Sequence, residues 1–212
     1  MSIIDPSITD YIEKHIITKY SRLDKAHNLS HVRRVIQNSL EIAKDYSVDY
    51  NMVYVIAAYH DIGLLKDRKD HGKTSAAFLL ADKKLHTWFS KDQIHIMAQA
   101  VEDHRASNDH EPRSIYGKII SDADNDLEYI SVLTRCILHG LAYFPHYDKD
   151  THFDRIVEHL KDKYAEGGYL QTWLNSEHDK RGLSQIRNKL TSDLKGLRAD
   201  FDRILKLESD EE

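Results

Sequence analysis

"YVIAAYHDIGLLKDRKDHGK" (residues 54–73) opens as an apolar run and closes in histidine, aspartate and a string of charges. Val53, Ile56, Ala57 and His60 recur at i, i+3, i+4 and i+7, the spacing of one helix face, so His60 points to the same side as the apolar residues before it. Gly63 suits the stop after His60 and Asp61. The pattern returns at Ile94, Met97, Ala98, Val101 and His104. It returns again at Tyr116, Ile119, Ile120 and Ala123, with Asp124 on the adjoining face. Three inward stripes thus end in a group able to bind a metal. A buried carboxylate or imidazole is costly without a hydrogen bond, an opposite charge or a cation, and these groups are expected to compensate one another around a cation.

The rest of the chain has the same texture. Glycine and proline are scarce, at 8 and 3, and apolar residues recur at helical spacing with no sustained alternation, so the chain reads as all-α. Helices are expected over about 7–20, 30–46, 50–60, 72–83, 91–104, 114–124 and 127–144. Ser30 suits the N-cap of the second. After Pro145 a polar helix over 151–164 leads to the Gly167-Gly168 break. One charged amphipathic helix over 183–207 and a solvated acidic tail over 208–212 follow. This divides the chain into a core, 1–145, and a helical C-terminal extension, 146–212, packed on the core rather than forming an independent domain.

Composition excludes several classes. The 212 residues carry a formal net charge of -5 with both signs interspersed, which argues against a general nucleic-acid surface and for small-molecule chemistry. Apolar stretches such as 53–59 are far shorter than the roughly 20 residues that span a bilayer, so no membrane partner is expected. The single cysteine, Cys136, cannot form an internal disulfide, and residues 1–20 lack the pattern of a secretory signal; a cytoplasmic setting is expected. There is no glycine-rich phosphate loop, dinucleotide fingerprint or Cys-x-x-Cys pair. The 14 histidines carry more information, since histidine is the commonest metal ligand.

Three blocks carry a resemblance: His27-Asn-Leu-Ser-His31-Val-Arg-Arg-Val35, Ala57-Ala-Tyr-His60-Asp61-Ile-Gly63 and Ile120-Ser-Asp-Ala-Asp124. Together they resemble the HD-domain metal-dependent phosphohydrolases, whose pattern is a histidine, a His-Asp pair and a distant aspartate. The likeness implies an all-helical HD-type core over 1–145, with His31, His60, Asp61 and Asp124 as metal ligands. His71 and His104 look like the two extra histidines of subfamilies that hold two ions, with Asp61 as the bridge. Imidazole and carboxylate ligation suits Mn, Fe, Co, Ni or Zn better than Ca, with Mg a weaker candidate, and one ion or two remains open. Asp124 fits the family's Ala-Asp ending; Asp122 is expected to cap, pair or support.

The resemblance further implies hydrolysis of a small phosphorylated molecule, with a nucleotide or nucleotide derivative the leading class and metal-bound hydroxide the nucleophile. Asp61, Lys66 and Arg105 are the expected catalytic groups; His27, Lys66, Arg68, Lys73 and Arg105 are the expected substrate contacts. The frequent His-Asp-Ile-Gly-Lys form is broken by Leu64, and Lys66 is its nearest substitute. Glu102 or Asp103 is a lesser candidate for general acid or base. His86, His95, His110, His152, His159 and His178 read as surface residues. The likeness, including Tyr164-Ala-Glu-Gly-Gly-Tyr-Leu170, is to bacterial HD proteins of uncharacterised function, so it supplies chemistry without a substrate. A di-iron oxygenase of the same ligand pattern and a non-catalytic metal-binding regulatory module are the alternatives.

Overall fold

A computed structural model describes residues 4–23, 27–105, 110–125, 127–174 and 176–209, and among them every regular element is helical. The α-helices are α1 (Pro6–His15), α2 (Leu29–Ile42), α3 (Tyr50–Tyr59), α4 (His71–Ala81), α5 (Lys91–Asp103), α6 (Ile115–Asp124), α7 (Tyr129–Tyr143), α8 (Lys149–Tyr164), α9 (Glu177–Thr191) and α10 (Leu194–Ser209). They form two compact units, one of Met1–Asn125 with Thr172–Asn175, the other of Asp126–Gln171 with Ser176–Glu212. No helix of the described residues is long and apolar enough to cross a membrane.

In the first unit α3 is the axis. Met52 to Tyr59 are buried on every side, as an all-round apolar helix must be, and α1, α2, α4, α5 and α6 pack around it. Local chemistry sets where these helices begin. Asp49 opens α3 by accepting from Asn51 N at 2.9 Å. Ser90 and Gln93 open α5 by reciprocal capping. α2 starts one step earlier than the sequence suggests, because Asn28 rather than Ser30 is its N-cap: the Asn28 carboxamide oxygen accepts from Ser30 N at 2.9 Å and His31 N at 3.2 Å. The Ser30 hydroxyl donates to that same oxygen at 2.6 Å.

The second unit has its own core, with Leu133, Ile137, Ile156, Leu160, Ile186, Leu197 and Phe201 buried in it. It includes α7, which the sequence reading counts with the first 145 residues. The expected single helix over 183–207 is two. Asp193 ends one and opens the next: its Oδ1 accepts from Gly196 N and its carbonyl from Leu197 N, each at 2.9 Å, while Ser192 N closes α9 on Asn188 O. α10 also takes in Glu208 and Ser209 of the expected tail, and 210–212 lie outside the described residues.

Candidate metal centre

The helices of the first unit deliver their chemistry at their ends. The last carbonyls of a helix have no partner within it. His60 and His104 sit immediately after α3 and α5 and supply one. His60 Nδ1 donates to Ala57 O at 2.7 Å and His104 Nδ1 to Val101 O at 2.6 Å. A carbonyl only accepts, so each Nδ1 carries the hydrogen and each Nε2 is left with a lone pair when the ring is neutral. Asp124 is the last residue of α6. Three helix C-termini, each bearing a partial negative charge, therefore present site groups, an arrangement that favours a cation.

His31 enters from the first turn of α2, on the stripe that buries Val32, Val35 and Ile36. Asp61 lies in the turn after α3, and two contacts hold that turn. Tyr20 Oη, fully buried, donates to Ala58 O at 3.0 Å and accepts from Asp61 N at 3.3 Å. Ser75 Oγ of α4 accepts from Gly63 N at 2.8 Å. Gly63 is required here, since a Cβ would run into His71 O and Ser75 N. This close approach brings the first residue of α4, His71, beside the His-Asp turn.

The two oxygens of Asp61 face different partners. Oδ2 stands 3.4 Å from His31 Nε2 and 3.2 Å from His60 Nε2; Oδ1 stands 3.4 Å from His71 Nε2 and 3.5 Å from His104 Nε2. On the first side Asp124 Oδ1 is 3.3 Å from His31 Nε2 and 3.7 Å from His60 Nε2, and the two imidazole nitrogens are 3.1 Å apart. Two sets of donor atoms result: His31, His60 and Asp124, and Asp61, His71 and His104, with the atoms of each set within 4.8 Å of one another. The bare Nε2 atoms and anionic oxygens of both sets converge, and mutual repulsion is relieved by protons or by divalent ions. The donor chemistry fits ions of the borderline-soft transition series.

Proton affinities follow from that crowding. Burial alone would push the His31 imidazole down, but the Asp124 and Asp61 carboxylates outweigh it and hold the ring up to about 9. His60 is likewise raised, Asp61's charge overcoming burial. Burial would raise both carboxyls, yet the surrounding imidazoles, His60 foremost for Asp61 and His31 for Asp124, hold them well below the usual range. His71 is pushed down, by burial first. The set opens to solvent at two donors, since the Asp124 side chain is 27% exposed and that of His71 14%.

Asp122 is fully buried and engaged elsewhere. Its carboxylate accepts from Trp173 N at 2.9 Å and Leu174 N at 2.8 Å. Asp103 and Glu102 do not fit the acid-base role, because Arg113 takes both: its Nη2 reaches Asp103 Oδ1 at 2.6 Å and Glu102 Oε2 at 2.5 Å. Lys66 and Arg68 are exposed along the stretch joining the His-Asp turn to α4, and Lys73 is exposed in the first turn of α4. Arg105 Nη1 donates to Lys69 O at 2.7 Å. His27 is half-buried, its ring edge-on to His31 at 5.8 Å between centroids. Of the expected surface histidines, His86, His95 and His110 are exposed. His152 is instead buried under α7, where Gly140 leaves it room, and His159 is half-buried; the His178 side chain lies outside the described residues. Sequence reasoning missed Tyr20 and Ser75, whose partners lie 41 and 12 residues away.

A fold of packed helices whose ends gather imidazoles and carboxylates around a shared aspartate defines a class, the all-helical proteins with a metal-binding centre. Residues 28–129 match the family model of the HD domain. That segment contains all six donors. No curated protein matches it. Among solved structures, a predicted HD superfamily hydrolase from an uncultured Thermotogales bacterium is 23% identical, over 76% of this chain and 92% of its own, with a TM-score of 0.48. Bacillus subtilis YpgQ, solved in complex with ADP, is 17% identical over 96% of this chain and 95% of its own, with a TM-score of 0.57, and shares the fold.

Proposed function

We propose that this chain is a metal-dependent phosphohydrolase that acts on a small phosphorylated molecule, a nucleotide or nucleotide derivative, with two divalent transition-metal ions at the site. The observation that carries this reading is Asp61: one carboxylate oxygen faces His31 and His60, the other His71 and His104. Asp124 completes the first set. Ions held there supply Lewis acidity, which lowers the proton affinity of water and offsets charge on phosphoryl oxygens.

The chain's own residues do the rest. The carbonyls of Ala57, Val101 and Arg68 fix the tautomers of His60, His104 and His71, so the lone pairs are aimed before anything binds. The exposure of Asp124 and His71 marks the side from which substrate arrives. Lys66 and Arg68, exposed on the stretch that ends at His71, and Lys73, exposed in the first turn of α4, would meet its anionic oxygens. A nucleotide is supported by the ADP complex of YpgQ, a protein of similar fold.

The test is a screen of nucleotides, dinucleoside polyphosphates and sugar phosphates with Mn, Co, Ni, Fe or Zn added, read as released phosphate. Hydrolysis in oxygen-18 water is expected to label the phosphate. Label in the alcohol product contradicts attack at phosphorus, and iron-dependent oxygen consumption without phosphate release transfers the site to the oxygenase reading.

A further inference from the structure

We propose that Arg105 is a positioning residue: it straps the exposed segment 66–70 to the end of α5 and so holds His71 opposite His104 for the second ion. The inference rests on the two-ion reading above. The difference lies in how the imidazoles are aimed. His60 and His104 each donate to a carbonyl of the helix they terminate, so the packing of α3 and α5 fixes them. His71 instead donates, at 2.9 Å, to Arg68 O, which precedes α4 in a stretch with no regular structure. Lys66, Arg68, Lys69 and Asp70 are all exposed there. The aim of His71 is therefore only as firm as that stretch.

Asp67 Oδ1 ties the stretch to itself by accepting from Lys69 N at 2.9 Å. Arg105 ties it to another helix: Nη1 donates to Lys69 O at 2.7 Å across 36 residues of sequence. The stem of Arg105 lies over Gly72, where a Cβ would stand 3.6 Å from Arg105 Cδ and 3.0 Å from Glu102 O, tight enough that α4 and the end of α5 would have to part by a few tenths of an ångström. Arg105 follows His104 in sequence, and Lys69 follows Arg68. One guanidinium bond thus links the residue beside one imidazole to the neighbour of the residue that aims the other, and it leaves His31, His60 and Asp124 untouched.

The probe is Mn2+ alone, titrated into the full chain with no phosphate present, so that substrate binding by Arg105 has no influence. Arg105→Met keeps the aliphatic stem over Gly72 and removes the donor; Arg105→Lys restores a cation of similar reach. Arg105→Met is expected to weaken the second ion about 10-fold or more, the usual consequence of removing a residue that orients a ligand, and to leave the first unchanged. Arg105→Lys should recover part of the loss. Retained first-ion binding also reports that the variant is folded. Equal binding of both ions by Arg105→Met and wild type overturns the strap alone, as does a loss spread over both ions. A wild type that binds one ion defeats the two-ion reading and the strap with it.

Discussion

The two donor sets share Asp61 but are built from different material. His31, His60 and Asp124 stand on α2, α3 and α6, around a helix buried on every side, and His31 and His60 have almost no exposure. The set of Asp61, His71 and His104 takes one donor from the end of α5, whose inner face alone is buried, and one from the first residue of α4, which is aimed by an exposed stretch. Helix ends packed into a core hold a ligand without further help. A ligand aimed by a loop needs a tether. A tight, robust first ion is therefore expected, with a weaker second one whose occupancy varies with the segment 66–70.

The largest effect is expected at the shared residue. Asp61→Ala removes a ligand from both sets and should abolish metal binding and phosphate release while helical content by circular dichroism is kept, since Asp61 lies between helices rather than within an apolar stripe. Full metal occupancy in this variant would sever the two sets and end the comparison. His60→Ala should empty the first set; elemental analysis of the purified protein reads it.

The two aspartates near the end of α6 sharpen the contrast between ligand and scaffold. Asp124→Ala is expected to weaken metal binding far more than Asp122→Ala. Asp122→Ala should keep its ions and lose stability, because the amides of the half-buried Trp173 and Leu174 lose their acceptor, at a cost of up to about 1–3 kcal/mol each where no water replaces it. Thermal melts and metal content, taken together, separate the outcomes. An Asp122→Ala protein that melts normally but holds no metal would move the ligand by two positions.

A smaller effect concerns protons. In the metal-free protein His31 is held up to about 9, above the unfolded value of about 6.5, so its contribution to stability is complete below the lower figure and lost as pH climbs through the higher one. An ion at the first set takes the place of that proton. Binding to the folded protein should therefore release protons below about 9, and apparent affinity should rise with pH up to that value. Calorimetric titrations in buffers of different ionisation heat measure this directly; heats independent of buffer would remove the His31 contact from the account.

How much of this is written in the sequence depends on the distance over which a residue acts. The 3.6-residue period puts His60 and His104 on inward faces, and the structure buries both. Asn28 as a cap is a matter of three residues and was legible in principle, but Ser30 offered the same chemistry two positions later. The break at Asp193 was hidden by an amphipathic pattern that runs through it. α7 is as apolar as the helices before it, and nothing local says that its apolar face belongs with α8, α9 and α10. Tyr20, Ser75 and the amides that occupy Asp122 act across the fold, where spacing carries no signal.

The central claim is that one carboxylate, Asp61, serves two ions. Anomalous diffraction from crystals of the Mn2+-loaded protein tests it most directly. Two peaks flanking Asp61 are expected, one in contact with His31, His60 and Asp124 and the other with His71 and His104, and a single peak at the first set when His71 is replaced by alanine. One peak in the wild-type protein, or two that do not share Asp61, would contradict it.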